Sequence, residues 1–145
     1  MKFEDLQKEW DKDCVIEKDK LDLASINTPI LHNKYYKYYI LERSLLKRME
    51  ADLKVLELDK IEFFTQGPTK EQHDKGWVLP AKGVIIKSEV DKYLQADKEY
   101  IQTSLKVFTQ KQKVEFLEAI ISDLNRRSYL IKNAVEIIKW EHGSS

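Results

Sequence analysis

At 145 residues the chain fits one domain, large enough for a core but small enough to lean on self-association. With 34% charged residues, four glycines and three prolines, it favours long helices over a sheet-rich fold. The 25 basic and 25 acidic side chains cancel, so no strong basic field advertises a nucleic-acid partner. The single Cys14 excludes an internal disulfide framework, suits a reducing compartment, and is expected as a half-buried small hydrophobe. No apolar run approaches the ~20 residues of a membrane span, and the start MKFEDLQKEW lacks the apolar stretch of a signal peptide. A soluble, intracellular protein is expected.

In chain order, Phe3, Leu6, Gln7 and Trp10 recur at helical spacing and predict a short amphipathic segment over 3–13, within an acidic helical part over 1–28. Ser25-Ile-Asn-Thr-Pro29 is a breaker, with Asn27 or Thr28 able to cap a helix whose first turn holds Pro29. From there Leu31, Tyr35, Tyr38, Leu45, Met49, Leu53, Leu56 and Phe63 recur at three- and four-residue steps. They predict one helix over 29–66, ended by Gly67-Pro68. Residues 67–86 form a loop, in which Trp77-Val78-Leu79 and Val84-Ile85-Ile86 suggest a small β-hairpin. Ser88, with Glu89 and Asp91 in the first turn, starts a last long helix over 87–142 that Gly143 can close.

That last helix bears on assembly. Its first half carries the stripe Val90, Leu94, Ile101, Leu105 and Phe108; its second half carries Leu117, Ile121, Leu124, Ile131, Val135 and Ile138 at heptad-like steps. The two stripes are displaced near Val114–Phe116, and no Gly or Pro marks a break there. One continuous helix with two packing partners is the reading. Two helices alone cannot cover both stripes, so the second is expected to be an oligomer interface.

Charge is patchy. Residues 1–29 carry five Lys against eight Asp/Glu, a net of −3, whereas 30–48 carry Lys34, Lys37, Arg43, Lys47 and Arg48 against Glu42 alone, a net of +4. The window 126–135 holds Arg126, Arg127 and Lys132 with no acid. An acidic head beside basic helices can pack against its own neighbours as easily as the basic helices can meet phosphate.

No constellation supports catalysis or a metal: His32, His73 and His142 lie far apart, and no phosphate loop or nucleophile elbow occurs. Pairs such as Asp11 and Asp13, or Glu115 and Glu118, read as solvated helix faces. Two features carry a functional reading. In Lys34-Tyr-Tyr-Lys-Tyr-Tyr39 cations alternate with rings, as in single-strand binders that stack bases and neutralise phosphate. Tyr35 and Tyr38 fall on the core stripe, which leaves Tyr36 and Tyr39 as the stacking candidates. Lys60 falls on the apolar stripe between Leu56 and Phe63, where a lysine snorkels or pairs with a carboxylate such as Glu57 or a neighbouring chain's Glu42.

Several blocks carry a resemblance: Phe3-Glu-Asp-Leu-Gln-Lys-Glu9 with Lys12-Asp13, then Lys60-Ile-Glu-Phe-Phe-Thr-Gln-Gly67. Lys87-Ser-Glu89, Leu94-Gln-Ala-Asp-Lys98, Arg127-Ser128, Ile131-Lys132 and Trp140-Glu-His-Gly143 follow in order. In these the sequence resembles the UvsY-type recombination mediator proteins of tailed bacteriophages. The resemblance implies an all-α, ring-like homo-oligomer without cofactor that binds single-stranded DNA through its backbone in the cytoplasm of an infected bacterial host. It further implies contacts with the phage's single-strand-binding protein and RecA-like recombinase, the latter being loaded onto DNA. In that family a basic-x-basic pair before the aromatic doublet is tied to DNA binding. Here the doublet is Phe63-Phe64, and of Leu58-Asp59-Lys60 only Lys60 matches, with Lys54 one turn earlier as a substitute. The expected DNA contacts are therefore Lys60, Lys54, Lys47 and Arg48, with Lys34, Lys37, Tyr36 and Tyr39, and with Arg126, Arg127 and Lys132. A helical scaffold that binds only protein is the alternative reading.

Overall fold

A computed structural model describes residues 1–143; Ser144 and Ser145, included in the domain expected from sequence, lie outside the described residues. Among the described residues all regular structure is helical: α1 Phe3–Asp13, α2 Leu21–Gln66, α3 Lys70–Asp74, α4 Val90–Gln95 and α5 Lys98–Glu141. None of these helices is long and apolar enough to cross a membrane. The chain forms two compact units, one of residues 1–43 with the segment from Gln112 onward, the other of Ser44–Lys111.

In the first unit α1, the first part of α2 and the last part of α5 surround Leu6, Tyr35, Leu117, Ile120 and Leu124. Trp10 meets Tyr35 edge-on at 5.3 Å, and Phe3 packs on Phe116 at 5.5 Å. Each fully buried aliphatic side chain here stabilises by about 1.5–3 kcal/mol. The break expected at 25–29 is absent: α2 begins at Leu21 and runs through Pro29. The cause is burial. Ala24, Thr28, Leu31 and Tyr35 continue one inward stripe across the proline, whose own side chain is exposed. Thr28 is consequently no cap; its Oγ1 donates to the Ala24 carbonyl at 2.8 Å.

In the second unit the C-terminal end of α2 presents Phe63 and Phe64, which with Ile85 form the core that Trp77, Leu79, Val90 and Tyr93 cover. Gly67, at φ +94°, ends α2 as expected, donating to the Phe63 carbonyl at 3.0 Å. Thr69 and Gln72 then form a reciprocal capping box that starts α3, and Gln72 Nε2 reaches the Asp59 carbonyl at 3.4 Å. The expected hairpin is not formed. The Ile85 amide donates to the Phe64 carbonyl at 2.7 Å and the Trp77 amide to the Gln72 carbonyl at 3.1 Å, so groups a hairpin ladder would use are spent on helix ends.

The last helix differs at its start. It breaks after α4, and α5 restarts where the Asp97 carboxylate accepts from the Tyr100 amide at 3.0 Å. Beyond that α5 is continuous through Val114–Phe116, as expected. Its inward face is Val107, Gln110, Lys113, Val114, Leu117, Ile120, Leu124, Arg127 and Ile131, which includes three polar residues. Of the apolar stripe read from sequence in its first half, Leu94 is buried and Val90 half-buried, both on α4, whereas Ile101, Leu105 and Phe108 stay exposed.

Candidate nucleic-acid interface

On the second unit, Lys60, Lys75 and Lys98 line an open pocket of about 660 Å³ together with Trp77, Tyr93, Asp97 and Glu99. The C-terminal end of α2 supplies Lys60, the turn after α3 supplies Lys75 and Trp77, α4 supplies Tyr93, the link between α4 and α5 supplies Asp97, and the first turn of α5 supplies Lys98 and Glu99. Lys60 is 4% exposed. Its Nζ lies 3.2 Å from Asp97 Oδ1, 3.2 Å from Glu99 Oε2 and 3.8 Å from the centroid of the Trp77 ring. Burial of an ammonium is costly unless it is paired, and two carboxylates and an indole face meet that requirement. The stripe position read from sequence thus holds, but its partners are Asp97 and Glu99 rather than Glu57 or a neighbouring chain's Glu42. Lys75 sits 5.6 Å from the Trp77 ring, and Lys82 and Lys92 sit 5.3 and 5.7 Å from the Tyr93 ring. The hydrogen bond from Lys82 to Glu89, 2.7 Å long, raises the lysine above and lowers the carboxyl below their ordinary values. The arrangement offers cations beside π faces, which is the chemistry a nucleotide chain uses.

On the first unit the acidic N-terminal segment packs against its own chain's cations. Lys34 and Tyr35 both donate to Asp13 Oδ2, at 2.8 and 2.7 Å, and Tyr38 donates to Glu9 at 3.4 Å. Arg127, buried, donates to the Asp13 carbonyl at 3.0 Å and lies 5.7 Å from the Trp10 ring. Burial alone would raise the Asp13 carboxyl, but the hydrogen bonds from Lys34 and Tyr35 outweigh it and hold the group below its ordinary 3.8. Burial likewise opposes the charge on Lys34, and the Asp13 carboxylate overrides it, raising the ammonium above 10.5. Burial and the same carboxylate push the Tyr35 hydroxyl up as well. Lys113 donates to the Met1 carbonyl at 2.6 Å and to Glu42 at 3.4 Å.

The expected DNA contacts therefore divide. Lys34, Lys60 and Arg127 are engaged inside the protein, and Arg126 pairs with Asp123 at 2.6 Å. Lys37, Lys47, Arg48, Lys54 and Lys132 are exposed and make no ion pair among the described residues. Tyr36 is exposed and stacks on His32 at 5.9 Å with an interplanar angle of 10°, whereas Tyr39 packs against the core and donates to Glu118 at 3.2 Å. Of the expected oligomer contacts, Leu117, Leu124 and Ile131 are buried within a single chain and cannot be the surface offered to a neighbour. α1 supplies the packing partner that two long helices alone lacked. Ile121, Val135 and Ile138 are half-buried. Cys14, expected half-buried, is exposed.

Trp77, Lys75, Tyr93 and Lys98 had not been singled out as site residues. They line one pocket with Lys60 through the tertiary fold, and no local spacing announces such a meeting. The ring-beside-cation pattern of Lys75-Gly-Trp77 and Lys92-Tyr93 was the available signal.

A family profile described as recombination, repair and ssDNA binding protein UvsY matches residues 9–144. The recombination protein uvsY of Enterobacteria phage T4 is 22% identical over 143 residues, spanning 99% of each chain. Two crystal structures of the bacteriophage T4 recombination mediator protein UvsY share the fold. One, of lattice type II, has a TM-score of 0.81 at 22% identity and 98% coverage of both chains. The other, of lattice type I, has a TM-score of 0.79 at 22% identity, covering 94% of this chain and 98% of that one. With a family match over nearly its whole length, the chain belongs to the UvsY family of recombination, repair and single-stranded-DNA-binding proteins.

Proposed function

We propose that this chain is a non-catalytic recombination mediator that works as a ring-like homo-oligomer. It binds single-stranded DNA through the phosphate backbone and loads a RecA-like recombinase onto DNA covered by single-strand-binding protein, inside the infected host cell. The observation that carries the reading is the cluster of Lys60, Lys75 and Lys98 around the Trp77 and Tyr93 rings in a member of this family. The exposed cations Lys37, Lys47, Arg48, Lys54 and Lys132 add sequence-independent contacts. Exposed apolar side chains on α5, with Trp140 at 81%, are the surface for self-association. Copies joined in a ring bind cooperatively, because the second contact is effectively intramolecular.

Titration of a fluorescently labelled oligo-dT at increasing salt tests the reading. Binding that is tolerant of sequence and falls log-linearly with salt is expected, at a slope of about 0.7 per phosphate contact. The engagement of Lys34 and Lys60 by the protein's own carboxylates, and of Arg127 by the Asp13 carbonyl, favours one rival, a scaffold whose cations serve only its fold. No salt-sensitive binding, beside an intact oligomer in sizing experiments, would establish that rival instead.

A further inference from the structure

The two carboxylates that hold Lys60 are not equivalent. Asp97 has both oxygens committed, Oδ1 to Lys60 and Oδ2 to the Tyr100 amide that starts α5, and its side chain is 16% exposed. It is fixed by the helix it caps. Glu99 is different. Its side chain is 49% exposed, and among the described residues its carboxylate meets no cation but Lys60. An ion pair with one partner in solvent is weak and readily exchanged. A rotation of Glu99 into water leaves the Lys60 ammonium aimed into the pocket, still anchored by Asp97 and seated on the Trp77 ring.

We infer that Glu99 is a displaceable carboxylate standing where a phosphate binds. When single-stranded DNA enters the pocket, a backbone phosphodiester takes the place of Glu99 on Lys60. The occupant's chemistry follows from the lining. Lys60, Lys75 and Lys98 outnumber Asp97 once Glu99 has left, the first turn of α5 lines the same pocket with its positive dipole end, and Trp77 and Tyr93 offer rings to the adjoining base. In the unliganded protein Glu99 gives the buried Lys60 a second carboxylate beside Asp97. On DNA it becomes a competitor that weakens binding and hastens release. This inference rests on the single-stranded-DNA reading above.

The test is a Glu99→Gln variant of the full chain, with Glu62→Gln as a charge-matched control. Glu62 is exposed on the same unit and does not line the pocket. Affinity for labelled oligo-dT is measured at low and moderate salt, with a thermal melt of each variant. Loss of one negative charge a few ångström from a phosphate predicts binding about three- to tenfold tighter for Glu99→Gln at low salt. The gain should shrink as salt rises, and Glu62→Gln should change affinity by less than about twofold. Glu99→Ala should reproduce the gain, since the loss of the carboxylate and not the new amide is responsible. Wild-type binding with Glu99→Gln and Glu99→Ala no tighter than the Glu62→Gln control overturns the displacement and leaves the DNA-binding reading standing. A wild-type protein that does not bind oligo-dT at low salt overturns both.

Discussion

Leu124 separates the core from the proposed assembly surface. It is 2% exposed and packs with Leu6, Tyr35, Leu117 and Ile120 inside one chain. Leu124→Ala removes three buried carbons and leaves a cavity between helices that also pack on their remaining faces, so relaxation can refill it only in part. A cost of about 3 kcal/mol follows, equivalent to a fall in melting temperature of ~6–12 °C for a chain of this size. Leu124→Asp adds an ionised carboxylate to an apolar cluster. That cost exceeds what a unit of marginal stability tolerates, and the docking of α1 should be lost. Circular dichroism melts at several protein concentrations, beside size-exclusion chromatography, read both effects. Trp140→Ala provides the contrast: at 81% exposure it should leave the helical signal intact and alter only the size of the assembly. A Leu124→Asp protein that is fully helical, melts like the wild type and merely runs smaller would refute the placement of this stripe in the core.

The pH dependence of the first unit follows from Asp13 and Lys34. The lowered Asp13 carboxyl contributes stability above its ordinary 3.8 and loses it as pH falls through the lower folded value, whereas the raised Lys34 contributes below 10.5 and loses it as pH rises further. The melting temperature should be flat through neutrality and fall at both ends, and Asp13→Asn should flatten the acid limb. Pro29→Ala restores an amide for the Ser25 carbonyl inside α2, so the melting temperature should rise by a few degrees, a gain of about 1–2 kcal/mol after the lost rigidity of the unfolded chain is subtracted. An unchanged melt would show that the proline costs the helix nothing. Lys60→Ala strands Asp97 and frees a half-exposed Glu99, which should cost about 2 kcal/mol together with most of the salt-sensitive affinity; normal DNA binding beside a lowered melt would assign Lys60 to the fold alone.

The helices were legible because their apolar residues keep the helical period over many turns, and Gly67-Pro68 stops α2 as local chemistry requires. What failed to read has physical causes. Pro29 looks like a boundary by its missing amide, yet the tertiary burial of Thr28, Leu31 and Tyr35 outweighs that loss. The break between α4 and α5 carries no Gly or Pro, since Asp97 ends one helix and starts the next by offering a side-chain acceptor. The inward stripe of α5 escaped a search for apolar periodicity because Gln110 and Arg127 belong to it. Arg127 is tolerated inside only because Asp13 and Trp10 arrive from a segment more than a hundred residues away. The pocket beside Lys60 shares that character. The Thr69–Gln72 capping box that starts α3 was missed: the helix it begins is only five residues long, too short to show an apolar period inside a segment read as loop.

The charge balance of the chain, 25 basic against 25 acidic side chains, looks unsuited to a polyanion until the pairs are traced. The acidic N-terminal segment spends Glu9 and Asp13 on Lys34 and on the α2 tyrosines, and Asp13 lends its field to Arg127. Neutrality there is a property of the core. Outside it, Lys37, Lys47, Arg48, Lys54 and Lys132 face solvent without an ion pair among the described residues. A few such cations per chain bind DNA weakly and reversibly, each contact lowering affinity as salt rises. On the proposed ring they would bind firmly, because avidity grows with the number of sites engaged and not with the net charge of one subunit. The proposed loading role also requires letting go once a recombinase has taken the strand. Weak contacts in large number, with the proposed displaceable Glu99 carboxylate to reclaim Lys60, satisfy both demands better than one strongly basic groove would.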